Sequence, residues 1–111
     1  MGSVTTDLVQ AYADETLYTN ALKKAKLDDR VTELLGDIEP IDKLAILEGQ
    51  VKYANNNEKV QSSIRIIGDK GRGMMDISAR WEDAQWKYTK IQVRIKKPIE
   101  KKQTLEIDIG E

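Results

Sequence analysis

The side chains that could do chemistry in this sequence are lysines, carboxylates and one glycine run, because it contains no His and no Cys. Between residues 85 and 102 there are seven bases and a single acid, Glu100. Lys96, Lys97, Lys101 and Lys102 crowd around Pro98 in that segment. Ammonium groups at this density can hold phosphate, anionic lipid or an acidic partner. The run Gly68-Asp69-Lys70-Gly71-Arg72-Gly73 has the look of a phosphate loop. It lacks the Walker spacing and the following Lys-Ser/Thr, and it lies between two strand patterns instead of opening onto a helix. A turn whose glycines supply φ > 0 is expected there. Asp28-Asp29 and Glu82-Asp83 are paired carboxylates of the kind used in acid–base work. The first pair falls at a helix start, where the macrodipole favours acids, and the second in a tight turn. Neither pair, nor Asn55-Asn56-Asn57, offers the oxygen density of a calcium site. Without His there is no Ser-His-Asp triad and no imidazole ligand. Without Cys there is no disulfide, thiolate nucleophile or iron–sulfur cluster. No catalytic residue, metal or cofactor is expected.

The elements that must position these groups are legible from periodicity. Apolar residues from Asp7 to Lys26, among them Leu8, Ala11, Tyr12, Tyr18, Ala21, Leu22 and Ala25, recur at spacings of three and four. That is one helical stripe, and Asp14 or Thr16 can cap a second start within it. Arg30 to Leu35 reads as a short helix capped by Asp28 or Asp29, with Gly36 placed for a left-handed C-terminus. Pro40 is expected to prevent resumption. Five strands follow: Ile46–Ala54, Val60–Ile67, Gly73–Trp81, Gln85–Ile95 and Thr104–Ile109. Their short connections imply antiparallel hairpins. The fold class is therefore α+β, with two helices on one face of a meander sheet. Met75, Ile77, Ala79 and Trp81 share one strand face. Trp86 and Tyr88 are out of phase with Ile91, Val93 and Ile95. A β-bulge at Thr89-Lys90 would put all five on the core face and bring Trp81 against Trp86. Residues 1–15 are taken as a cloning remnant, Met1-Gly2-Ser3, and a frayed helix start; residues 16–111 as a single domain, expected to be a monomer.

Charge is balanced in total but not along the chain. Lysines and arginines number 18 against 19 aspartates and glutamates, a net charge of -1. This gives no global attraction to nucleic acid. Residues 1–48 carry ten acids and five bases, and residues 85–102 form the basic segment. Arg94 and Lys96 point outward beside Glu106 and Asp108 of the adjacent strand, so cross-strand pairing is expected to neutralise them. No apolar run approaches the roughly 20 residues that span a bilayer.

The order of motifs carries a resemblance. Glu33-Leu34-Leu35-Gly36, then Pro40-Ile41, Glu48-Gly49-Gln50-Val51 and Ser63-Ile64-Arg65-Ile66-Ile67-Gly68 follow one another. Asp69-Lys70-Gly71-Arg72-Gly73-Met74-Met75-Asp76-Ile77 and Trp86-Lys87-Tyr88-Thr89-Lys90-Ile91-Gln92-Val93 complete the set. This pattern resembles the cytochrome oxidase complex assembly protein 1 family, and the related intermembrane-space domain of the presequence-translocase accessory subunit. The chain departs from Leu-Gly-x-Pro-Ile by two extra residues between Gly36 and Pro40. The resemblance implies Leu35, Gly36, Pro40, Gly68, Gly71, Gly73 and Trp86 as architectural positions. It also implies a non-catalytic interaction domain tethered by an N-terminal anchor ahead of Val4, with protein partners in membrane complexes. The implied location is the mitochondrial intermembrane space, or the cell membrane if bacterial. A soluble module binding a small ligand or peptide on the open sheet face or an edge strand is the alternative, and an anionic-surface binder acting through the basic strand and loop is a third.

Overall fold

The structure, a computed structural model, describes Ala11 and residues 14–110. The expected remnant Met1-Gly2-Ser3 and the helix start at Asp7, with Leu8 and Tyr12, lie outside the described residues. The first described helix, α1, is Glu15–Lys26, and it buries Leu17, Tyr18, Ala21, Leu22 and Ala25. Lys23, Lys24 and Lys26 occupy its last turn, where cations suit the macrodipole. Helix α2 is Asp29–Leu35. The Asp28 carboxylate accepts the Arg30 N–H at 2.9 Å, and Gly36 ends the helix at φ 74. These are the capping roles expected of both residues.

Pro40 does not end the helical region. A third helix, α3, spans Lys43–Glu48, and the Asp42 carboxylate caps it by accepting the Ala45 N–H at 2.9 Å. The strand expected from Ile46 therefore begins only at Gln50. The stretch Leu44-Ala45-Ile46-Leu47 has no apolar period, so neither helix nor strand is marked by it. Capping decides the outcome: Ala45 and Ile46 turn inward, while Leu44 and Leu47 stay half exposed.

Five strands form one antiparallel sheet in chain order: β1 Gln50–Ala54, β2 Lys59–Ile67, β3 Arg72–Glu82, β4 Gln85–Lys97 and β5 Gln103–Glu106. The fifth strand is shorter than its alternation suggests, although the Ile107 N–H still donates to the Ile91 carbonyl at 2.8 Å. Asp83 and Ala84 at φ 53 and 62 make a two-residue hairpin turn of the hand that suits strand twist. Trp81 and Trp86 then meet edge to face at 5.2 Å. The bulge is where the phase slip requires it. Ser78 faces Lys90 and Ala79 faces Tyr88, which leaves Thr89 as the extra residue. Ile91, Val93 and Ile95 are buried, and Trp86 and Tyr88 pack against the same core. A second irregularity was not expected: Lys96 is extra between Ile95, opposite Gly73, and Lys97, opposite Arg72.

Three tyrosine hydroxyls fasten α1 to the sheet. The Tyr53 hydroxyl donates to Asp14 at 2.7 Å, and the Tyr88 hydroxyl donates to the Leu17 carbonyl at 2.6 Å. The Ser62 hydroxyl donates to the Gln50 carbonyl at 2.8 Å, so the Tyr18 hydroxyl is the donor in its own 2.8 Å bond to Ser62. Burial pushes the Tyr88 phenol up to about 12 and the Tyr18 phenol in the same direction, Ser62 opposing part of the latter. The core thus lies between α1–α3 and one sheet face, and the other face is left open.

Candidate functional site: the open sheet face

Register determines which residues share the open face. Its middle row is Gln50, Ser63, Asp76, Gln92 and Glu106, one from each strand. Asp76 is the hub. It accepts from Ser63 Oγ at 2.6 Å and Gln92 Nε2 at 2.8 Å, its neighbours to either side. Arg94, one row along, closes a two-pronged contact through Nε at 2.7 Å and Nη2 at 2.8 Å. Burial alone pushes the Asp76 carboxyl up, but the bonds from Arg94, Ser63 and Gln92 and the Arg94 charge outweigh it. The carboxyl is held at about 2. The open depression above this network has a volume of about 670 Å³ and is walled by Gln50, Ser63, Asp76 and Gln92. Ser63, Asp76, Gln92 and Arg94 are spent on one another, and Lys52 and Lys90 stand at the rim of the same depression.

Arg94 therefore does not pair with β5. It faces Thr104 in register, and its acid comes from β3. Glu106 faces Gln92, and its carbonyl accepts a 2.9 Å bond from Arg30. The expected pairing chose the wrong neighbour because each central strand has two, and the register of β5 depends on a loop whose geometry alternation cannot supply.

On either side of the Asp76–Arg94 network the face is cationic. Lys59, Arg80 and Lys87 stand directly opposite one another on β2, β3 and β4. In the next row Lys52 and Lys90 flank Gln61 and Ser78. At the far end Arg72 faces Lys97. Arg80 contacts Glu82 at 2.8 Å and Arg65 contacts Glu48 at 2.7 Å. Lys52, Lys59, Lys87 and Lys90 form no ion pair among the described residues.

The expected basic cluster lies at the far end. Lys96 is the bulged residue and Lys97 ends β4. Lys101 closes a 3₁₀ turn, Ile99–Lys101, and Lys102 follows it. All four are exposed. Lys101 shares a cavity of about 380 Å³ with Arg30, Glu33, Leu34 and Lys70. The rows nearer Asp76 were not anticipated, since Lys59 and Arg80 lie in a stretch whose net charge is only +1. Pairing places them beside Lys87; the linear sequence does not.

Gly68 and Gly71 of the glycine run dock α2, and Gly73 lies against β4. Gly68, Gly71 and Gly73 have no left-handed φ, contrary to the reason expected for them. A Cβ on Gly68 would strike the Leu35 carbonyl, on Gly71 the Lys97 carbonyl, and on Gly73 the Arg94 carbonyl. Close backbone approach is the constraint. Around it the Lys70 N–H donates to Leu35 at 2.9 Å and the Asp69 N–H to Asp37 at 3.1 Å. Residues between Gly36 and the exposed Pro40 join this seam. Ile38 bridges to Gly68, and the Glu39 N–H donates to Ile67 at 2.8 Å. Trp86 packs on Trp81 and, at 6.2 Å, on Tyr53. Its buried Nε1 has no hydrogen-bond partner among the described residues.

Among the described residues no three His, Cys, Asp or Glu side chains gather as a metal site, and no helix is long and apolar enough to cross a membrane. Asp28 is occupied as a helix cap and by Arg30 at 2.6 Å, and Asp83 forms a hairpin turn. The fold and this surface define an α+β domain with a helical layer on one side of a five-stranded meander and a polar, open face on the other. The chain belongs to the cytochrome oxidase complex assembly protein 1 family, whose model matches residues 7–108. No curated protein and no solved structure matches it.

Proposed function

We propose that this protein is a non-catalytic accessory factor in the assembly of cytochrome oxidase, acting by binding other proteins. The family match over residues 7–108 carries this reading. The chemistry of the open face supports it. Asp76, its most strongly perturbed carboxylate, is locked by three side chains and held ionised. It has neither a free lone pair aimed at a cavity nor a pKa near neutrality, as a general base would need. Leu35, Gly36, Gly68 and Gly71 lie in the seam between α2 and the β2–β3 turn, Gly73 lies against β4, and we assign all five to the scaffold. Partners are membrane complexes, reached from a membrane-tethered position with this domain outside the bilayer. The reading is tested by cross-linking the full-length protein in membranes of its source organism and identifying the captured proteins. Oxidase subunits or their assembly intermediates are expected; reproducible capture of unrelated complexes alone would contradict it.

A further inference from the structure

The charge pattern of the open face is unfavourable for an isolated sheet. Like charges directly opposite across strands destabilise pairing, yet Lys59, Arg80 and Lys87 form such a ladder over three strands, and Arg72 with Lys97 forms a second. By register the face carries nine basic and three acidic side chains, in a protein whose net charge is -1. Among the described residues the helical side holds balancing acids: residues 14–47 have eight acids and five bases. The molecule is electrically two-sided.

We propose that the open sheet face docks flat on an anionic lipid surface, with lipid phosphate and carboxylate headgroups neutralising the opposed cations. Three features favour a lipid surface over an acidic peptide. The cationic rows lie at both ends of the face, from Arg80 to Arg72, about 26 Å apart at ~3.3 Å per residue. A plane of headgroups reaches both ends at once. The middle between them is a shallow depression around the paired Asp76–Arg94 network, rimmed by Lys52 and Lys90, and it lacks the enclosed apolar pocket that anchors a bound peptide. Finally, the four lysines without ion pairs are compact point charges on flexible stems, suited to a fluid layer of headgroups and not to one fixed geometry. Glu58 and Asp83 lie at the loop tips of the Arg80 end of the sheet, and Glu82 beside them is paired with Arg80, so the approach is face-on and not tip-first. The proposal goes beyond oxidase assembly and stands whether or not the oxidase is the client.

The test is co-sedimentation of the full chain with vesicles of phosphatidylcholine alone and of phosphatidylcholine with about one-third phosphatidylserine, at low and high salt. Binding is expected only to the anionic vesicles, and it is expected to vanish at high salt. The triple variant Lys59→Gln/Lys87→Gln/Lys90→Gln should lose roughly fivefold in partitioning per charge, on the order of a hundredfold in all. Lys23→Gln/Lys26→Gln on α1 should retain binding. Urea unfolding of the triple variant should show stability equal to or above that of the parent, because opposed cations have been removed. Failure to bind anionic vesicles overturns the proposal, as does equal loss in the α1 variant or undiminished binding by the triple variant. Binding to soluble polyglutamate but not to vesicles overturns it in favour of an acidic protein partner.

Discussion

Replacing Asp76 with Asn tests the electrostatic centre of the open face. The change keeps the shape and removes the charge that Arg94, Ser63 and Gln92 converge on. The carboxyl moves from its ordinary 3.8 to about 2 in the folded protein. At ~1.36 kcal/mol per pH unit, full linkage is about 2.5 kcal/mol. The side chain is 21% exposed, on a face open to water, so screening reduces this to about 1–2 kcal/mol. The sign follows from the depressed value. The stabilisation is complete above the ordinary, unfolded-state value of 3.8, and it is lost as pH falls toward 2. Urea unfolding followed by the fluorescence of Trp81 and Trp86 should therefore show the parent about 1–2 kcal/mol more stable than Asp76→Asn near pH 7. The gap should close between about pH 4 and pH 2. A gap that persists below pH 2, or none near neutrality, would refute the hub.

Three other outcomes are expected. Deleting Thr89 leaves Trp86, Tyr88, Ile91, Val93 and Ile95 in regular alternation, so the variant should fold and keep the Trp81–Trp86 near-ultraviolet signal; an unfolded product would show that the twist of the bulge matters more than its phase. Gly68→Ala should cost about 1–3 kcal/mol in urea unfolding through the clash with the Leu35 carbonyl, and a neutral effect would contradict the close approach of α2. Stability should be flat from about pH 6 to 9 and decline between about pH 10 and 12, because Tyr88 and Tyr18 ionise more easily when unfolded; tyrosinate absorbance that rises without loss of structure would refute this.

Much of the fold could be read from periodicity because a buried face imposes it. The slip between Tyr88 and Ile91 located a bulge, and a turn expected at Glu82-Asp83, which the structure has one residue later at Asp83-Ala84, placed Trp81 against Trp86. Alternation failed where burial was not periodic. Leu44 to Leu47 is helical because Asp42 caps it, and a four-residue aliphatic run carries no trace of that. The open face was hardest to read. A row such as Lys59, Arg80 and Lys87 exists only once two registers are fixed, and the partner of Arg94 depended on which neighbouring strand supplied the acid. The Lys96–Lys102 cluster was visible because it is local in sequence, and it proved to be one end of a wider cationic surface. The glycines were recognised as necessary, but the reason was wrong at Gly68, Gly71 and Gly73: contact with Leu35, Lys97 and Arg94 lies far away in sequence.

The most direct test of the central claim is the amount of assembled cytochrome oxidase in source cells that lack this protein. Assembled oxidase should fall while transcripts for its subunits do not, and the full-length gene should restore it. Undiminished oxidase in the deletion strain would contradict the account.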